Sequence, residues 1–328
     1  MVSDAQGMHA LYGGVVPELA SRAHATKVVE LYAHLQSKYK WDVTSVDSVS
    51  IASQPGLPGS VTVGVAAAHT IWQFLDKPVI ECHHIMGHVF SILLDRERDI
   101  LQLPYLCLTV SGGHSDIYVI DDWWLMIDDT DVVPYHDLHT KRWHIGIWDI
   151  YTVWPYTVTK LVQTLDDAVG EAYDKVAKML WWPYPGWPWI DQLSQQWSSD
   201  KLIVSRIRKI DISDQFSFSG VKAQVHSLLE YLERNNILLT ASVQADIARR
   251  FQGVVTDALM QKMTQYIDTL PNTPKVLWVV GGVSANSLLR TKMSQLAAEK
   301  NIALYYPNSF AYCTDNAAMI GVVGLLEK

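Results

Sequence analysis

The sequence predicts an α/β fold, because short apolar strands alternate with segments of helical spacing and two strands run directly into paired glycines. "VDSVSIAS" (46–53), "KPVIEC" (77–82) and "YLCLTV" (105–110) have strand length and β-branched or apolar content, with helical text between each and the next. The clearest unit comes late in the chain. There "KVLWVV" (275–280) is a buried strand, "GGVSAN" (281–286) a glycine turn, "SLLRTKMSQLAAEK" (287–300) a helix and "IALYYP" (302–307) a strand.

The other elements follow in order. Residues 17–39 form a helix opened by Pro17 at its first position and Glu18 in its first turn. "QPGLPGS" (54–60) is a turn cluster, and "VTVGVAAAHTIWQFL" (61–75) is an apolar helix rich in small residues. "HHIMGHVFSILLD" (83–95) is a helix. "SGGH" (111–114) turns the chain into the strand "SDIYVI" (115–120). Residues 121–160 are aromatic and acidic without a clear period, and read as irregular strands or an inserted loop. "TLDDAVGEAYDKVAKML" (164–180) is a helix, "VSRIRKIDISDQFSFSG" (204–220) strands and a turn, and two helices cover about 220–234 and 242–269. The closing helix, 314–328, takes Thr314 as its cap.

A formal charge of −8 argues against binding nucleic acid through a global basic field. Local groups remain: Arg206, Arg208 and Lys209, or Arg249 and Arg250, each either a basic patch or an ordinary solvated face. No apolar run approaches membrane-spanning length, and "MVSDAQGMHA" lacks the pattern of a signal peptide. Three cysteines in a long chain fit a reducing, cytoplasmic setting, with Cys82 as a small buried hydrophobe.

Several motifs carry chemistry. His84 and His88 lie four apart on one helix face, so their imidazoles can grip one cation with a carboxylate from elsewhere, or simply hydrogen-bond at a helix surface. "VSGGH" (110–114) either cradles an anion on its amides or is a hairpin turn. "VVGGVSAN" (279–286) has the strand, glycine turn and helix N-terminus layout that binds phosphate or ribose, with the Asn286 amide toward the ligand. It contains neither GxGxxG nor a GK[ST] ending. Asp167, Glu171 and Asp174 are a turn apart and either meet a ligand's hydroxyls or form a solvated acidic helix start.

These strings occur in a telling order. "YGGVVPELASRAH" (12–24), "QPGLPGS", "HHIMGH", "VSGGH", "DDAVGEAYDKVAKML", "FSFSGVK" (216–222), "GGVSAN" and "CTDNAAMIG" (313–321) together closely resemble the TsaD family of tRNA N6-adenosine threonylcarbamoyltransferases. The resemblance covers nearly all of the chain outside 121–160. It implies a two-lobed actin/hexokinase-like ATPase fold, with residues 1–103 and 314–328 in the first lobe and 104–313 in the second. The family opens with a strand hairpin of "ETSCDET"-like text, to which nothing here corresponds, so the N-terminal sheet is expected to be incomplete and no catalytic side chain is assigned.

The resemblance further implies one divalent metal, Fe(2+) with zinc as the second choice, on His84, His88 and Asp315. It places threonylcarbamoyl-AMP against Thr109, Val110, Ser111, Gly112, Gly113, Asp174, Trp187, Asp191 and Asn286. The implied acceptor is tRNA reading ANN codons, and the implied partners are a TsaB-like paralogous subunit and a TsaE-like ATPase, with no membrane. A degenerate, non-catalytic platform for a partner subunit is the rival reading. A metalloprotease reading lacks HExxH.

Four tryptophans depart from the family. Trp187 stands at the second glycine of its "YPGGP" string, and Trp72, Trp181 and Trp197 also stand at family glycines. An indole where backbone must approach a ligand is expected to obstruct it. A gene in which UGA encodes glycine but is read as tryptophan produces this pattern, and UGG codons at the four positions would dismiss that explanation. Met86 stands where many family members have Glu.

Overall fold

The computed structural model describes residues 16–40, 45–97, 100–122, 143–145, 148–153, 155–196, 205–210 and 215–328. The chain divides into two compact units, Met1–Glu97 with Asp315–Lys328, and Arg98–Thr314.

The first unit has a parallel two-stranded sheet among its described residues, β1 (Val49–Gln54) beside β2 (Val79–His83). Helix α1 (Pro17–Tyr39) packs on α2 (Pro58–Leu75), which crosses over between the strands. The chain leaves β2 straight into α3 (His84–Phe90), and the chain's last helix, α9 (Ala317–Leu326), lies against α3 and β1. Gly87 permits that contact. A Cβ there would sit 2.9 Å from Ile320 Cδ1 and 3.0 Å from Met319 Cγ, so the missing side chain lets Ile320 and Met319 pack directly on α3. Thr314 is not the cap of α9. The helix starts three residues later, and Asn316 Oδ1 accepts from the Met319 amide at 3.0 Å. Asp315 therefore lies just outside the helix, its carboxylate not used as the cap.

The second unit is built on a sheet whose described strands run in the order β5-β6-β7-β4-β3-β8-β9. These are β3 (Tyr105–Val110), β4 (Ser115–Asp122), β5 (Trp143–Ile145), β6 (Trp148–Val153), β7 (Tyr156–Val162), β8 (Val276–Val280) and β9 (Ala303–Tyr305). β3 runs antiparallel to β4 and parallel to β8. Every residue of β8 is buried, which explains why "VLWVV" shows no alternation. Leu106, Leu108, Ile117, Val119, Leu277 and Val279 form one apolar face. On it pack α4 (Val169–Met179), α5 (Gly186–Ser194), α6 (Ser219–Arg234), α7 (Ala241–Thr269) and α8 (Ser287–Lys300).

Three expectations change. The segment 121–160 contributes β5, β6 and most of β7, while 123–142 lies outside the described residues. The helix read from 164 starts at Val169, because the preceding residues are tied sideways. Thr164 bridges Phe216, and Asp166 accepts from the Ser217 and Ser219 hydroxyls and the Phe218 amide. Those bonds, outweighing burial, hold the Asp166 carboxyl below the ordinary carboxylate range. The same clamp replaces the strands expected at 204–220: among the described residues that segment has only the Thr164–Phe216 bridge, and 211–214 lie outside them.

Helix α4 ends on a residue that sequence rules would make glycine. Trp181 has φ +66° and is 86% exposed. The Trp182 amide donates to Ala177 O at 2.9 Å and the Trp181 amide to Lys178 O at 3.1 Å, the paired bonds of a helix stop with a left-handed residue. Trp181→Gly removes the left-handed penalty on a side chain that packs on little. It is expected to stabilise the fold by about 1 kcal/mol, read as a higher Tm in thermal denaturation. A lower Tm would show that the indole is worth more than its strained backbone.

Candidate metal centre and glycine-turn site

His84 is the first residue of α3 and His88 stands one turn later, so both rings project from one face. The ring centroids are 5.0 Å apart with perpendicular planes. Asp315 Oδ1 lies 3.4 Å from His84 Nε2 and 3.0 Å from His88 Nε2. His88 is buried and His84 partly so, while the Asp315 side chain is open to solvent. Desolvation would raise the Asp315 carboxyl, but hydrogen bonds and charge from both histidines outweigh it and hold the group well below the usual carboxylate range.

This arrangement fits a cation. The three donor atoms lie within 4.8 Å of one another. Donors about 2.0–2.2 Å from one ion are about 3–3.5 Å apart, the spacing already present between each imidazole and the carboxylate. Two neutral nitrogens and one carboxylate suit a divalent first-row metal with open positions. Of the neighbours, Cys82 packs under α9 with its thiol pushed up to about 12, by burial first and by the Glu327 charge second. Met86 belongs to the apolar core.

The residues read as nucleotide contacts all belong to the second unit. Thr109 and Val110 end β3, and Ser111, Gly112 and Gly113 form its hairpin turn into β4. The hydroxyl oxygen of Ser111 accepts from the Gly113 and His114 amides at 3.3 and 3.0 Å. A Cβ at Gly112 or Gly113 would meet nothing within 4 Å, so these glycines leave open space rather than relieve a clash. Gly281, by contrast, is obligatory: φ is +99° and a Cβ would collide with the Val110 carbonyl. The two glycine turns thus lie side by side, carried by the adjacent strands β3 and β8.

Asn286 and Asp191 are both engaged within the protein. Asn286 is fully buried, donates from Nδ2 to Gln252 Oε1 at 2.9 Å and accepts from the Leu289 amide at 3.0 Å. Its amide is thus buried, with the side-chain oxygen capping α8. Asp191 accepts from the Ser287 amide at 3.0 Å, the Ser287 hydroxyl at 2.7 Å and Gln252 Nε2 at 3.2 Å. The N-terminus of α8, read as a phosphate seat, is already met by a protein carboxylate. The acidic trio divides similarly. Asp167 pairs with Lys175 at 2.7 Å and Lys222 at 2.6 Å, and Glu171 pairs with Lys175 at 2.8 Å.

Asp174 stands apart from these pairs. Its Oδ1 accepts from the Gly186 amide at 2.6 Å, and its other carboxylate oxygen accepts no hydrogen bond among the described residues. Burial, and less so the Glu171 charge, push its carboxyl up to about 6 against the pull of the Gly186 bond. The fold binds that proton more tightly than the unfolded chain does. The ionised group therefore subtracts from stability above pH 6, and the loss shrinks to nothing as pH falls toward about 4. Asp174→Asn is expected to raise stability at pH 8 by an amount on the order of 2 kcal/mol and to leave it unchanged near pH 4. Denaturant melts at both pH values check this, and equal gains at both would refute it.

Trp187, in the first turn of α5, places Nε1 3.8 Å from the position of a Cβ on Gly282, and its ring centroid is 6.3 Å from that of Phe310. The indole therefore stands directly beside the 281–285 turn. Trp197 lies outside the described residues. Sequence reasoning missed Gln252, 2% exposed, which joins Asp191, Ser194 and Asn286. The available signal was an amide on the apolar stripe of α7, in helical register with Ala248 and Val255.

The profile of the TsaD family, described as tRNA N6-adenosine threonylcarbamoyltransferase, matches residues 1–131 and 149–322. The protein of that name from Thermodesulfovibrio yellowstonii is 35% identical over 324 residues, 99% of this chain and 86% of the relative. Its counterpart from Mesoplasma florum is 33% identical over 320 residues, 98% of this chain and 88% of the relative. Among solved structures, the crystal structure of T. kodakarensis HypF superposes with a TM-score of 0.53 at 14% identity, covering 90% of this chain and 42% of that one. At that identity the likeness concerns fold alone, and it places the chain among actin/hexokinase-like ATPase folds. The chain belongs to the TsaD family, the tRNA N6-adenosine threonylcarbamoyltransferases.

Proposed function

We propose that this protein transfers the threonylcarbamoyl group from threonylcarbamoyl-AMP to N6 of the adenosine beside the anticodon in tRNAs reading ANN codons. The observation that carries the reading is the convergence of His84, His88 and Asp315 in a chain of this family. Those three residues would hold one divalent ion, Fe(2+) before zinc. When bound, such an ion supplies Lewis-acid polarisation and a fixed point for the acyl donor. The 111–114 and 281–285 turns hold the nucleotide, with the free Asp174 oxygen accepting from a ribose hydroxyl. Asp191, Gln252 and Asn286 keep the second turn rigid. In the transfer the C–N bond to N6 forms as the acyl C–O bond to phosphate breaks, and the proton lost from N6 leaves with the released AMP or to solvent.

A TsaB-like subunit and a TsaE-like ATPase complete the working assembly in the cytoplasm, consistent with the need of an acidic chain for help in holding tRNA. No helix among the described residues is long and apolar enough to cross a membrane. The test is mass spectrometry of nucleosides from unmodified tRNA incubated with the protein, both partners and threonylcarbamoyl-AMP. Appearance of N6-threonylcarbamoyladenosine is the expected result, and its absence across iron and zinc loadings would overturn the proposal. The rival reading, a non-catalytic platform, is favoured by Trp187, which stands beside the 281–285 turn.

A further inference from the structure

We propose that the loop 205–210, with the adjoining face of α7, is a docking patch for the phosphate backbone of the tRNA. The inference rests on the tRNA-modifying reading but uses residues outside the candidate sites. In a chain of net charge −8, Lys175, Lys222, Lys292, Lys300 and Arg234 of the second unit each pair with a close carboxylate. Arg206, Arg208, Lys209 and Arg250 have no such pairing among the described residues. Arg206, Arg208 and Lys209 are all exposed.

The loop is held, not trailing. Ile207 is fully buried as its anchor. Arg250 Nε donates to the Ile207 carbonyl at 2.7 Å, and the Arg208 amide donates to Gln224 Oε1 at 2.5 Å. The Arg206 guanidinium lies 3.6 Å over the Tyr231 ring, which orients its flat face while leaving its N–H groups outward. Uncompensated cations preset by backbone anchors are what a polyanion needs, because little ordering entropy is lost on contact and counterions are released. Arg250 and Gln252 occupy nearly opposite faces of α7, so the patch is braced by the same helix as the 281–286 turn but does not overlap it. The chemistry is phosphate positioning rather than base reading.

The experiment titrates fluorescein-labelled, unmodified tRNA transcript with the full chain, comparing wild type with R206E/R208E/K209E across a salt series. The variant is expected to bind at least about tenfold more weakly at about 0.1 M salt, and its plot of log K against log salt to be shallower by about 2, from about 0.7–0.9 per lost contact. Its Tm and its affinity for AMP should match wild type. Unchanged affinity and slope, or no tRNA binding by wild type at any salt, would overturn the patch. Formation of the modified nucleoside separates the two ideas. A triple variant with wild-type KM for tRNA refutes the patch and leaves the transferase reading intact. Weakened tRNA binding by the variant, with no transfer by wild type, supports the patch and refutes the transferase.

Discussion

Replacing Trp187 by glycine is expected to tighten AMP binding at least about tenfold, about 1.4 kcal/mol. The indole occupies the space in front of the 281–285 turn, with Nε1 within contact distance of where even a methyl group on Gly282 would lie. A nucleotide seated on that turn must displace the ring, which loses its packing beside Phe310 and its preferred rotamer. Glycine removes the obstruction but costs some helix propensity in the first turn of α5. Trp187→Ala, which opens nearly as much space without the glycine penalty, should reproduce most of the gain. Calorimetric titration with AMP reads both variants. Equal or weaker binding in each, with unchanged Tm, would show that the nucleotide does not use this turn.

The second large effect belongs to His88. His88→Ala is expected to lower metal affinity by at least about 100-fold, because a first ligand is removed rather than a supporting residue, whose loss alone costs 10–100-fold. Elemental analysis after dialysis should find stoichiometric metal in wild type and a trace in the variant. His88 is buried, so the substitution also leaves a small cavity and some loss of Tm is expected. His84→Ala, at a partly exposed ring, provides the same test without that burden. His83→Ala should retain the metal, since His83 lies outside the converging trio. Full metal content in both ligand variants would dismiss the assignment.

The strands and helices were legible where periodicity and turn chemistry agreed. Pro17 marked the start of α1 to the residue, and the glycine pair at 281–282 marked the end of β8. What could not be read were long-range claims on side chains. Asn286 looks from sequence like a ligand amide after a glycine turn, yet α8 and Gln252 take both of its ends. Asp166 looks like the start of a helix, yet it binds a segment some fifty residues on. Thr314 is a better local cap by type than by position, and Asn316 won because it stands next to the first helical residue. The approach of Asp315 to the histidines was read only by resemblance. The glycine on which Ile320 and Met319 of α9 pack lies within the histidine string itself.

The most direct test of the central claim is anomalous scattering, at the iron and zinc edges, from crystals of the metal-loaded protein. The account predicts one strong peak within coordinating distance of His84 Nε2, His88 Nε2 and Asp315 Oδ1 together. A peak elsewhere, or metal-loaded crystals in which the Asp315 carboxylate turns away from both rings, would contradict it.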